Sequence, residues 1–388
     1  MQHRVGACLL GLATLIAAAL TAPGPASAGG CLGAGQPPNL PNRDNRLDAV
    51  TVLGDCSAWA VGAAGPHTLI ERWNGTAWHI VASPADGWLR GADAVSATDV
   101  WAVGVRPFGA NNSATLIERW RGTAWHRFAA PGASSTRSFG LVSVSASSAA
   151  NAWAVGSSTG PLGGGVERSY ALRWTGAAWH TVVVPHFGAP GEDNTLSSVV
   201  ALSAHNVWAV GEVADSSVFG GTLHSLVLHW NGQAWHRVHV PERGNLGRLY
   251  GVSASGPHDV WAVGEWGQTT NGAGGTLAVH WTGSGWSILP SPHPSSIGPD
   301  VLHSVVVLSP TDAWAVGTTE QPSPKTLVAH WNGIAWHRVA STNRGTASEL
   351  LGVDATSSAN LWAVGDSSRC QSKSCGDNPR TYNLAIRK

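Results

Sequence analysis

Trp59-Ala60-Val61-Gly62, followed by Thr68-Leu69-Ile70-Glu71-Arg72-Trp73-Asn74-Gly75-Thr76-Ala77-Trp78, is the stretch whose reading decides the fold. The first tetrapeptide recurs at Trp101, Trp153, Trp208, Trp261, Trp314 and Trp362, with successive spacings of 42, 52, 55, 53, 53 and 48 residues. Such a period makes the chain an array of one supersecondary unit. Residues that recur build the array, so function is to be sought in those that do not.

Working outward, a leucine stands twelve residues before each of these tryptophans: Leu47, Leu89, Leu141, Leu196, Leu249, Leu302 and Leu350. This constant spacing predicts two strands, a and b, joined by a tight turn. A short polar residue two positions before the tryptophan (Asp99, Asn151, Asn206, Asp259, Asp312 or Asn360) is expected to set that turn. A variable stretch leads to strand c, which ends in tryptophan, and a Trp-x-Gly-x-(Ala/Gly)-Trp turn of fixed length opens strand d. Asn-Gly between apolar runs is a strong hairpin signal, because both residues tolerate positive φ. Four antiparallel strands in each of seven units describe an all-β, seven-bladed β-propeller. The last unit stops at Lys388 without a strand d, and Cys31 to Pro38 fall in that register. Residues 29–46 are therefore expected to supply a closing strand that leaves no exposed edge, and 47–388 to form the propeller.

Residues 1–28 read as a secretory signal: His3 and Arg4, an apolar run from Val5 to Leu20, then Ala26-Ser27-Ala28. The run is shorter than the roughly 20 residues of a membrane span. A secreted protein without membrane insertion is expected, in preference to a lipoprotein anchored at Cys31. Formal net charge is +0 with no basic run, which argues against nucleic-acid binding. A monomer without cofactor or metal is expected. Four cysteines outlast the signal, and their positions in the blades predict the disulfides Cys31–Cys56 and Cys370–Cys375.

Nineteen of the 21 tryptophans occupy recurrent positions, which assigns them to packing between blades. Histidines that recur on strands c and d (His229, His280 and His330; His79, His126, His180, His236 and His337) lie too far apart to share a metal. Arg72, Arg119 and Arg173 share the strand c position with three of them, as a solvent-facing site would. Length variation falls in the b–c and d–a connections, which share one face, and binding residues concentrate in such loops. Candidate ligand-binding residues there are Trp88 in a d–a loop, Trp266 in a b–c loop, Phe108, Phe187 and Phe219. Glu212, Glu265 and Asp366, each directly after the tetrapeptide, join them. No catalytic motif is present, so no catalytic residue is assigned. The reading is a binding or interaction module that holds a glycan, peptide or protein on the variable face. The alternative is a hydrolase- or lyase-type enzyme in the central funnel, pairing those carboxylates with an arginine such as Arg137 or Arg344.

At the turn Trp73-Asn74-Gly75-Thr76-Ala77-Trp78 the repeat resembles the kelch and Asp-box propellers, and the array is similar to exported WAVG-type propellers of actinobacteria. The Asp-box start is replaced by Trp-Asn, Trp-Thr or Trp-Arg. The tyrosine and cysteine copper ligands that a kelch-type galactose oxidase would imply have no counterpart, nor has the arginine triad of an Asp-box sialidase. The resemblance therefore implies a fold and carries over no activity.

Overall fold

A computed structural model of the chain describes residues 31, 35–109, 112–160, 165–188, 191–215, 221–268, 274–295, 300–319, 323–369 and 380–388. These residues form 27 strands and no helix. The first unit shows the pattern: β1 (Asn45–Gly54), β2 (Ser57–Ala64), β3 (His67–Trp73) and β4 (Trp78–Ile80) pair antiparallel in sequence order. Five further units repeat this four-stranded meander. The last has three strands, β25 (Ala347–Ser357), β26 (Asn360–Arg369) and β27 (Arg380–Arg387). The glycine of each c–d turn carries the positive φ that the turn requires, from 81° at Gly122 to 99° at Gly232 and Gly283.

The innermost strands are β1, β5 (Trp88–Ser96), β9 (Ser138–Ser148), β13 (Asp193–Ser203), β17 (Leu246–Gly256), β21 (Asp300–Ser309) and β25. Each packs against the next, and β25 packs against β1. Side chains stitch these neighbours together. The Oγ atoms of Ser143, Ser198 and Ser304 accept the N–H groups of Val199, Val252 and Val353 in the following unit, each at 3.2 Å. Asp93 Oδ2 accepts Ala146 N–H at 2.6 Å, and Asp354 Oδ2 accepts Val52 N–H at 2.7 Å between the last unit and the first.

A second layer is built of tryptophan. The ring of Trp261 meets Trp331 at 4.9 Å and Trp336 at 5.1 Å, both in the next unit, tilted and edge-on respectively. The same trio recurs at Trp59, Trp101, Trp153 and Trp208. Trp362 makes it with Trp73 and Trp78 of the first unit, at 5.0 and 4.9 Å. Trp314 faces the last unit, where strand c carries Lys388 in the tryptophan register, and the ammonium sits 3.9 Å from its ring centre. A third element covers each trio. Arg119 lies 4.3 Å over Trp101, and His280 stacks 4.1 Å over Trp261. Asp99 and Asp259 tether them at 2.6 and 2.7 Å. The polar residue before the tetrapeptide thus chiefly holds a strand c cation or imidazole, and Arg119 is buried rather than solvent-facing.

The closing segment differs from the expected strand. Residues 35–40 run along β27 without a backbone ladder. The Gln36 side-chain amide takes the place of a peptide, donating to Ala385 O at 2.7 Å and accepting from its N–H, while Asn39 Oδ1 accepts Asn383 N–H at 2.7 Å. Gly35, Pro37 and Pro38 explain the missing ladder, since proline has no N–H to give. A disulfide joins Cys31 to Cys56 with a Cα separation of 5.4 Å, which ties this segment to the β1–β2 turn. Cys370 and Cys375 lie outside the described residues.

Glu71 and Glu118, on strand c of the first two units, are fully buried. Glu71 Oε1 accepts from Asn383 Nδ2 at 2.8 Å while Oε2 has no partner, and burial pushes the carboxyl up to about 9. Glu118 accepts from Ser83 Oγ at 2.8 Å and is pushed by burial to about 7. Both folded values exceed that of the unfolded chain, so the folded state keeps protons that the unfolded state releases. Stability from these acids is full below the ordinary glutamate range and falls as pH rises. For Glu71 the slope is about 1.4 kcal/mol per pH unit between pH 5 and 8. Thermal unfolding across this range should show Glu71→Gln with a flatter decline than the parent. In the same assay Trp261→Ala should remove about 3–5 kcal/mol, as an emptied aromatic site does.

Candidate functional site

Every innermost strand carries a β-bulge at one repeat position. The pairing skips a residue between Leu47 and Ala49, and likewise after each of the other six repeat leucines. The tetrapeptide glycine accommodates it. A Cβ on Gly62 would collide with Arg46 O and stand 2.8 Å from Leu47 Cα, and Gly264 and Gly365 meet the same obstruction from Arg248 O and Glu349 O. Only glycine admits strands a and b this close, and the bulge re-aims the extra residue. That residue is Asp48, Arg90, Val142, Ser197, Tyr250, His303 or Leu351, and all seven line one central cavity of 520 Å³. No two are alike.

The chemistry of this ring is uneven. Asp48 is paired with Arg46 at 3.0 Å, yet burial holds its carboxyl above the usual range. The Tyr250 hydroxyl donates to Glu265 Oε1 at 2.8 Å, and burial with that carboxylate keeps the phenol protonated. The His303 ring lies 5.6 Å from Tyr250, and burial lowers its imidazole to about 4, so it is neutral near pH 7. Farther along the wall, burial raises Asp93 to about 6 and Asp354 to about 7. Both already accept backbone N–H groups on each oxygen. Arg90 makes no hydrogen bond or ion pair among the described residues.

Of the residues singled out from sequence, Glu212 and Glu265 converge. Arg248, on the next inner strand, forms an ion pair with Glu212 at 2.6 Å and approaches Glu265 at 3.6 Å. Asp366 is buried at the junction of the last and first units. Burial and the neighbouring Glu349 raise its carboxyl to about 6. Trp88 is the first residue of β5 rather than a loop residue. It is 41% exposed, with its indole N–H donating to Gly65 O at 2.8 Å. Trp266 lies at the end of β18 (Asp259–Gly267), buried, under Arg243 at 4.0 Å, so it packs where loop exposure was expected. Phe108 ends β6 (Asp99–Phe108), half-buried and 5.4 Å from the Arg106 guanidinium. Phe187 folds back onto the core of the fourth unit, and Phe219 lies outside the described residues. Arg137 bonds Ser158 Oγ at 3.4 Å and does not join the carboxylates. The bulge ring was not among the sequence candidates. Its signal was a position that differs in every unit, between an invariant leucine and a residue never larger than serine.

No family model and no curated relative matches the sequence. Among solved structures, an ulvan lyase of polysaccharide lyase family PL25, bound to -[GlcA(1-4)Rha3S]-, is similar with a TM-score of 0.53 at 12% identity, over 89% of this chain and 94% of that one. An extracellular domain named for a hybrid two-component system of B. thetaiotaomicron is similar with a TM-score of 0.50 at 11% identity, over 84% of this chain. The present chain spans 38% of that protein's length. The SapL1 lectin in complex with alpha methyl fucoside has a TM-score of 0.47 at 13% identity, over 81% of this chain and 98% of that one. The first two establish the fold as a β-propeller.

Adjacent serines should separate site from scaffold. Both line the cavity, but Ser198 Oγ also accepts the Val252 N–H of the next inner strand. Ser197→Trp should leave the melting temperature within a few degrees, and Ser198→Trp should prevent folding or lower it far more. Equal losses in both variants would remove the distinction.

Proposed function

We propose that this chain is an exported binding module: residues 1–28 a signal, 29–46 a closing segment, and the remainder a seven-bladed propeller whose funnel holds a polar ligand. One observation carries the reading. Seven different bulge side chains converge on a single 520 Å³ cavity lined by the innermost strands. Convergent polar groups in a cavity of this size are the usual form of a small-ligand site.

Binding is favoured over catalysis by how the acids and bases are engaged. Glu212 and Glu265 share Arg248, Tyr250 is held protonated, and His303 is too weak a base for neutral pH. The second reading, a hydrolase or lyase in the same funnel, draws on Tyr250 and His303 standing 5.6 Å apart on one wall. The Cys31–Cys56 disulfide fits an oxidising compartment.

Titration of the secreted protein against oligosaccharide and peptide panels tests this. Saturable binding that Ser197→Trp abolishes supports the funnel site, and binding indifferent to that plug places the site elsewhere. Release of cleaved product by the parent but not by Tyr250→Phe would establish the enzyme instead.

A further inference from the structure

Resting on the funnel as a binding site, we propose that its ligand is an acidic saccharide, held by Trp88 and Arg90 of β5, with the sugar ring on the indole and its carboxylate on the guanidinium.

Trp88 stands apart from its counterparts. Position by position, the residue before the repeat leucine is Arg46, Gly140, Thr195, Arg248, Val301 or Glu349 in the other units, so an aromatic stands there only in the second. Trp88 is 41% exposed, whereas the seven tetrapeptide tryptophans are nearly sealed from water. An indole this exposed, at a position the repeat does not require, is available to a partner. The ring is also fixed in place, because its N–H donates to Gly65 O of the first unit at 2.8 Å. A rigid aromatic loses little entropy when it takes up a flat apolar ligand face, and the C–H face of a pyranose is one.

Arg90 is two residues along the same strand, at the bulge, and lines the cavity. Trp88 stands outside the cavity lining, at the first residue of the strand, so the ligand proposed here extends from the bulge to the start of β5. The other arginines nearby are committed: Arg46 to Asp48 at 3.0 Å, and Arg248 to Glu212 and Glu265. Arg90 feels Asp48 only through a longer-range attraction. A guanidinium without a partner at a cavity wall is a ready bidentate site for a carboxylate. Three carboxylates share the cavity wall: Arg46 offsets Asp48, and Asp93 and Asp354 each accept two backbone N–H groups. Across the cavity, Tyr250 and neutral His303 add a wall without negative charge of their own. An acidic peptide would satisfy Arg90 equally but has no rigid flat face for Trp88, so the saccharide is favoured.

The test titrates the secreted protein with uronate oligomers (galacturonate, alginate and hyaluronan fragments) and the carboxyl-reduced form of each, following tryptophan fluorescence and calorimetry. At least one acidic oligomer should bind in preference to its reduced form. Arg90→Gln should weaken that oligomer about 10–100-fold, as loss of a charged hydrogen-bonded contact does, and erase the preference for acid. Trp88→Ala should weaken both forms alike, with Trp88→Tyr partly restoring them. Neutral and acidic oligomers binding equally, or an unchanged preference in Arg90→Gln, would overturn this assignment and leave the funnel reading intact. Binding of poly-glutamate but of no oligosaccharide would make the ligand a peptide. No binding to any probe, including the neutral panels, would remove the funnel reading as well.

Discussion

The constraint on which the rest of this structure depends is the closeness of neighbouring inner strands. Two residues beyond each repeat leucine stand Ala49, Gly91, Ser143, Ser198, Gly251, Ser304 and Gly352, none larger than serine. A Cβ on Gly352 would lie 2.9 Å from Ala49 Cα, and one on Gly251 3.0 Å from His303 O. Where serine stands, its hydroxyl accepts the neighbour's N–H, so the contact that forbids bulk also supplies a bond. To come this near, each strand bulges one residue earlier, and the bulge in turn requires glycine on strand b. The glycine of the tetrapeptide, the small residue and the cavity-facing side chain are consequences of one packing decision.

Tryptophan then fixes the angle between units. Each tetrapeptide ring wedges into two rings of the following unit, and a cation or imidazole on strand c closes it over. The last unit lacks both receiving rings, and the structure substitutes for them by different means. Lys388 offers its ammonium to the face of Trp314, a cation–π contact in place of an aromatic pair. Gln36 and Asn39 imitate peptides along β27, and the Cys31–Cys56 disulfide holds their segment in place. The weakest point of the ring thus carries its covalent link, where restricting the unfolded chain stabilises most directly.

The sequence made the scaffold legible because its causes are local and repeated. Asn74-Gly75 announces a hairpin, a constant twelve-residue interval announces uninterrupted strands, and tryptophans at three fixed positions announce a shared core. What it hid arises between elements. Trp88 and Trp266 look alike in sequence, each outside the repeat and beside Gly. One is propped in solvent by Gly65, and the other is buried under Arg243. The aspartate before the tetrapeptide has an ordinary turn role in sequence, and only the strand register places it against His280 or Arg119. The bulge was invisible for a related reason: it follows from how near the next unit stands, which no single repeat encodes.

That concealment explains why fold and function separate so cleanly in this chain. The residue after each repeat leucine lines the cavity rather than the tryptophan layer, so the blade core places little demand on it. It is free to be Asp, Arg, Val, Ser, Tyr, His or Leu without disturbing its flanks. Seven such positions point at one space from seven directions, a geometry that gathers side chains from residues about 50 apart in sequence. An array selected for uniformity can therefore carry an asymmetric site, provided the asymmetry is confined to the bulge and its rim. The charges obey the same division. Carboxylates at scaffold positions (Asp93, Asp354) are raised by burial and accept backbone N–H groups, whereas Arg90, without an ion pair among the described residues, stands at a bulge. Stability and recognition draw on different residues of the same strand, one position apart.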